Sequence, residues 1–178
     1  WGIHPSLSYF QTKSGNKKVI SDANVPQTKG LANIKSIDQL LISIEKLWEE
    51  NPSCQKFMLK LDQGVSGDGN AILKHKISFE KFDSMNLIGK REYLISSFEN
   101  MKFQSKKMNW DKYLDRIKNG SIVEEFIDNE VYSSPSCQAC ILPSGKIEIY
   151  STHEQILDKN GQTFLGCKFP AMNVYRQK

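Results

Sequence analysis

The chain has 178 residues, with 24 Lys and Arg against 20 Asp and Glu, for a net charge of +4 at neutral pH. Its 39% hydrophobic and 25% charged content fits a folded chain with room for one core or two small lobes, and excludes a disordered one. No apolar run approaches the roughly 18 residues that a membrane-spanning helix needs. The basic doublets Lys17-Lys18, Lys90-Arg91 and Lys106-Lys107 are scattered. Aromatic residues sit mostly in apolar patterns instead of interleaving with lysines, which ranks a nucleic-acid-binding reading last. The chain begins at Trp1, not Met, and reads as a piece of a longer protein.

In chain order, residues 14–23 read as a short helix, and Pro26 and Gly30 as a turn. Ser36 with Gln39 forms a capping box. Ile37, Leu40, Leu41, Ile44, Leu47 and Trp48 then recur at helical spacing until Asn51-Pro52. Strands are expected at 56–62 and 70–76. Residues 77–104 read as partly helical, with Tyr93, Leu94, Phe98 and Met101 on one side. Asn109 caps a further helix through Trp110, Tyr113, Leu114 and Ile117, which Asn119-Gly120 closes. From Ser121 the texture turns to strands at 121–127, 131–142, 146–155 and 163–167, separated by polar turns. This divides the chain near Gly120 into two parts, residues 1–120 and 121–178. The four cysteines do not form a secreted disulfide pattern. Cys137 and Cys140 lie three apart on an expected strand, so they point to opposite faces and do not easily share a metal.

The loop Gly64-Val65-Ser66-Gly67-Asp68-Gly69 carries the most chemistry. Glycines let backbone N–H groups turn toward a ligand that a Cβ would block, and consecutive N–H groups make a concavity suited to phosphate oxygens. Lys60, at the end of the incoming strand, adds a positive charge beside it. A strand follows the glycines, and no Gly-Lys-Ser/Thr does, so this is not a P-loop. Thr12-Lys13-Ser14-Gly15 supplies a second lysine, and Val123-Glu124-Glu125-Phe126-Ile127 is an apolar strand broken by two carboxylates. The order of lysine, lysine with glycine loop, then acidic strand suggests a nucleotide held between two lobes.

With those motifs in that order, the sequence resembles the ATP-grasp superfamily. More narrowly, it is similar to the carboxylate–amine ligase branch of the pheganomycin-type peptide ligase and the ATP-grasp region of IQ-motif-containing protein H, a flagellar protein. Ser133-Ser134-Pro135-Ser136-Cys137-Gln138, Ser151-Thr152-His153-Glu154-Gln155 and Gly166-Cys167-Lys168-Phe169-Pro170-Ala171 carry the narrower likeness. The resemblance implies an α+β, partial ATP-grasp fold: a helix-and-hairpin lid lobe followed by the start of an antiparallel β-sheet lobe.

It also implies ATP as ligand and roles for particular residues. Lys13 corresponds to the lysine near the α-phosphate and base, and Lys60 to the lid lysine between adenine and phosphates. Ser66, Gly67 and Gly69 correspond to the loop over the β- and γ-phosphates. Glu124 and Ile127 correspond to a hinge whose backbone reads adenine, and Glu130 is the candidate for ribose. His153 and Gln155 fall on a strand facing the phosphate cleft. The implied reaction activates a carboxylate as an acyl phosphate for attack by an amine. Its Mg²⁺ ligands are expected beyond Lys178, since no late Glu-x-Asn motif stands in the sequence. The alternative is a non-catalytic scaffold or nucleotide-sensing module of a ciliary or flagellar axoneme, with other axonemal proteins as partners. Either reading implies an intracellular protein that engages neither nucleic acid nor membrane.

Overall fold

The structure, a computed structural model, describes residues 4–64, 67–127, 133–158 and 164–173. The chain divides into two units, Trp1–Ile127 and Asp128–Lys178.

The first unit opens with a 3₁₀ helix, Pro5–Gln11, followed by α1 (Lys13–Asp22), β1 (Gly30–Ile34), α2 (Ile37–Glu50), β2 (Lys56–Leu61) and β3 (Asn70–Lys74). Then come α3 (Phe79–Asp83), α4 (Leu87–Glu99), β4 (Lys102–Phe103), α5 (Trp110–Ile117) and β5 (Ser121–Glu125). Each of these α-helices begins after a side-chain cap. Thr12, Ser36, Ser78, Asn86 and Asn109 accept from the backbone N–H of Gly15, Gln39, Lys81, Gly89 and Lys112 respectively. Such a cap contributes about 0.5–2 kcal/mol to its helix.

The five strands form one antiparallel sheet in the order β1-β5-β2-β3-β4. Its two faces separate by the period of two that a strand imposes. Phe57, Leu59, Leu61, Ala71, Leu73 and Val123 point into the core, against Leu40, Ile44 and Trp48 of α2, Phe82 of α3, Phe98 of α4 and Tyr113 of α5. Apart from Ala71, each of these side chains contributes about 1.5–3 kcal/mol by leaving water. The alternate positions, Met58, Lys60, Ile122 and Glu124, lie outside that core cluster and turn to the opposite face. Helix α1 packs there, beside β1 and β5.

The domain boundary differs from the expected one. Residues 121–125 do not open the second unit, because β5 is an inner strand of the first sheet, paired to β1 on one side and β2 on the other. The break therefore falls after Ile127. Strand β1 was not expected from the sequence. It is short, and its register shifts between Leu31 and Ile34, where Asn33 takes φ 61°. That irregularity erases the alternation by which strands are read.

The second unit holds β6 (Pro135–Ile141), β7 (Ile147–Leu157) and β8 (Phe164–Lys168) in an antiparallel sheet of that order. The β6–β7 register skips Tyr150. This bulge sets Ala139, Ile141, Ile147 and Ile149 on one face, and Gln138, Ser151, His153 and Gln155 on the other.

Candidate nucleotide-binding pocket

Helix α1 presents Lys13, Asn16, Lys17 and Ile20 at i, i+3, i+4 and i+7, and these share one face. Beneath it lie Lys60, Ile122 and Glu124 of the sheet. Together with Phe10, Gln27 and Thr28, the two sets line a pocket of about 440 Å³, within the roughly 300–1,000 Å³ of small-ligand sites. Lys13 and Lys60, 47 positions apart by number, thus meet in one cavity.

Glu124 is the electrostatic centre. Its carboxylate accepts from Lys60 Nζ at 2.7 Å through one oxygen and from Lys17 Nζ at 3.0 Å through the other. Burial pushes this carboxyl up, but the charges and hydrogen bonds of Lys60 and Lys17 outweigh it and hold it below the usual range. Lys17 also donates to Thr28 O at 2.7 Å. Lys13 donates to the Gly64 carbonyl at 2.9 Å. Burial, and next the Lys60 charge, lower the Lys13 ammonium below the ordinary lysine value, with Asp62 opposing. Three ammonium groups against one carboxylate leave the pocket positive, as a polyphosphate ligand requires.

The glycine loop leaves β2 beside this pocket. Gly67 and Gly69 take φ 82° and 86°, conformations that favour glycine. Asp68 pairs with Arg116 of α5 at 3.0 Å, which ties the loop to the helix below it. Ser66 lies outside the described residues, as does Glu130.

The remaining expected residues sort by position. Glu124 does not offer its backbone to a base as the hinge reading has it. It pairs with Met58 on one side and Gly30 on the other, so the sheet takes up both edges of the strand there. Its carboxylate is what reaches the pocket. Ile127 lies two residues past the end of β5 and is 68% exposed. His153 and Gln155 belong to the second unit and share a face of β7; His153 is buried and Gln155 accepts from Ser134 Oγ at 2.8 Å. Sequence reasoning missed Lys17. Its signal was the four-residue step from Lys13, which puts both lysines on one helical face.

Residues 5–107 match the family described as "IQCH-like, ATP-grasp". The chain belongs to this family. A curated relative is IQ motif-containing protein H of Danio rerio, 22% identical over 188 residues, a match that takes in 93% of this chain and 18% of that protein. Among solved structures, the fold is similar to N5-carboxyaminoimidazole ribonucleotide synthetase in its ADP complex, with TM-score 0.58, 17% identity, and 93% and 33% of the two chains covered. The Staphylococcus aureus N5-carboxyaminoimidazole synthetase complexed with ADP gives 0.61 at 13% identity over 97% and 36%. D-alanyl-alanine synthetase A from Vibrio cholerae gives 0.57 at 11% identity over 97% and 45%. The chain therefore has an ATP-grasp fold and spans less than a fifth of its curated relative and less than half of these enzymes.

No described helix is long and apolar enough to cross a membrane. Among the described residues no group of three or more His, Cys, Asp or Glu side chains is arranged to hold a metal ion.

Proposed function

We propose that this chain binds ATP or ADP, with the phosphates held by Lys13 and Lys60 while Lys17 keeps the Glu124 carboxylate paired. The observation that carries this reading is the convergence of the three ammonium groups on one pocket beside the glycine loop. Binding exchanges internal partners for phosphate oxygens: Lys13 leaves the Gly64 carbonyl and Lys60 leaves one oxygen of Glu124. Lys17 stays on the other oxygen and keeps the carboxylate from being stranded without a cation. Gly67 and Gly69 are assigned to cover the outer phosphates with backbone N–H groups, and Ile127 to meet the base by its backbone. Calorimetric titration of the chain with ADP tests the proposal. A saturable one-to-one isotherm supports it, and a flat titration of folded protein into the millimolar range defeats it.

In the complete protein, the reaction that fits is formation of an acyl phosphate from a carboxylate and attack on it by an amine, the chemistry of ATP-grasp ligases. The lysines here would stabilise charge on the transferring phosphoryl group. The likeness to IQ motif-containing protein H favours a second reading, a non-catalytic nucleotide-dependent scaffold of an axoneme. ADP release by the complete protein, stimulated by a carboxylate and an amine, selects the ligase. Nucleotide binding without turnover selects the scaffold.

A further inference from the structure

Helix α1 carries two of the three pocket lysines, and one of them, Lys17, is drawn to the sheet by its ion pair with Glu124. Lys13, Lys17 and Lys60 line one cavity with Glu124, which pairs with Lys17 and Lys60. The Lys60 charge opposes the Lys13 ammonium, and a buried polar joint stands next to Lys13. Ser14 is fully buried. Its backbone N–H and its hydroxyl both donate to Asp62 Oδ1, at 2.9 and 2.8 Å. The same hydroxyl accepts from the Asn33 backbone N–H at 3.0 Å. One hydroxyl thereby joins α1, β1 and the residue that follows β2. Asp62, 7% exposed, is anchored in turn, because its own N–H donates to Gly120 O at 2.9 Å just before β5.

Two details separate this joint from an ordinary cap. Asn33 sits where the β1 register shifts, with φ 61°. The irregularity sends its N–H to Ser14 instead of along the sheet. In addition, Thr12 Oγ1 takes the Gly15 N–H and Asp62 takes the Ser14 N–H, so side chains already occupy those early donors of α1. The helix terminus therefore does not serve as the anion site, although its dipole would suit one. Anion affinity falls to the ammonium groups, whose effect depends on how closely α1 is held to β2.

We infer that Ser14, Asp62 and the Asn33 backbone form a clasp that sets the spacing between the lysine face of α1 and Lys60, making Ser14 and Asp62 positioning residues of the pocket. The inference rests on the nucleotide reading for its consequence, and on the three-way joint for its geometry. Buried polar networks of this kind hold a site in one arrangement when every member is satisfied.

The test uses Ser14→Ala and Asp62→Ala, with Asp62→Asn as the variant that keeps both the acceptor oxygen and the volume. ADP affinity is measured by titration, and the Lys13 ammonium is followed by side-chain NMR through a pH titration. Expected are a loss of about tenfold in ADP affinity for each alanine variant and a change of about threefold or less for Asp62→Asn. In Ser14→Ala the Lys13 pKa climbs back toward the ordinary lysine value as α1 moves off Lys60. In a Lys13→Met background, Ser14→Ala costs little further affinity, because the joint acts through the lysine it positions. Full additivity of the two substitutions, or an unaltered Lys13 titration in Ser14→Ala, overturns the inference. If the alanine variants do not fold, a tenfold loss in folded Asp62→Asn overturns it and near-normal binding upholds it. If the unaltered chain binds no ADP, the nucleotide reading fails by itself and the Lys13 titration alone decides the clasp.

Discussion

Lys60→Met is the most informative single substitution in the pocket. The Lys60 side chain is 29% exposed and its ammonium is 2.7 Å from Glu124. Methionine retains much of the aliphatic stem and removes the charge. Folding should suffer little, because Lys17 still holds the other Glu124 oxygen at 3.0 Å and a partly exposed pair is worth about 0–1 kcal/mol. Binding should suffer more. A hydrogen bond to a charged group contributes about 1.5–3 kcal/mol, which corresponds to about 10- to 150-fold in the dissociation constant for ADP. Titration with a fluorescent ADP analogue, paired with thermal melting, reads both quantities. Lys18→Met is the control for bulk charge, since Lys18 is 56% exposed and pairs with Asp22 one turn along its own helix. It should stay within about twofold of the unaltered chain. Equal losses at Lys60 and Lys18, or no loss at Lys60 in a folded variant, would show that Lys60 does not hold the phosphates.

Three further predictions concern stability. His75 is 2% exposed and stacks on Trp48 at 3.6 Å, and burial lowers its pKa to about 4 from 6.5. The unfolded chain takes up that proton first as pH falls, so stability present above pH 6.5 is lost between 6.5 and 4. Urea unfolding should show a loss of about 2–3 kcal/mol from this residue between neutral pH and about 4.5, a loss that His75→Phe abolishes. An equal pH slope in both proteins would contradict this. Glu124→Gln leaves Lys17 and Lys60 facing each other without their counter-ion, and should cost about 1–2 kcal/mol. Melting in high salt should recover part of it, and a salt-independent loss would show that the cost is not electrostatic. Gly120 has φ 107°, and a Cβ there would stand 2.2 Å from Asp62 Oδ2. Gly120→Ala should cost about 2–3 kcal/mol in chemical denaturation, and a change under about 0.5 kcal/mol would show that the turn relaxes.

What was legible in the sequence follows physical range. Helix α2 was plain because its cap, its apolar period and its Asn51-Pro52 stop all lie within one local stretch. The β2–β3 hairpin was plain for the same reason. The position of β5 was not, since its neighbours β1 and β2 are set by contacts across about 60 to 94 residues and not by its own pattern. In the pocket, Lys13 and Lys60 were found from motifs, whereas Lys17 looked like half of a surface doublet until α1 was seen lying over Glu124. The Ser14–Asp62 joint was invisible for another reason. A lone Ser and a lone Asp have no spacing signature, and only the fold puts them 2.8 Å apart.

In the proposed function, Lys13 and Lys60 grip the same phosphate chain. A crystal structure of the chain grown with ADP tests it most directly. Expected are diphosphate oxygens within hydrogen-bonding distance of both ammonium groups, with Lys13 drawn off the Gly64 carbonyl. ADP bound elsewhere, with Lys13 still on Gly64 and Lys60 still on Glu124, would contradict it.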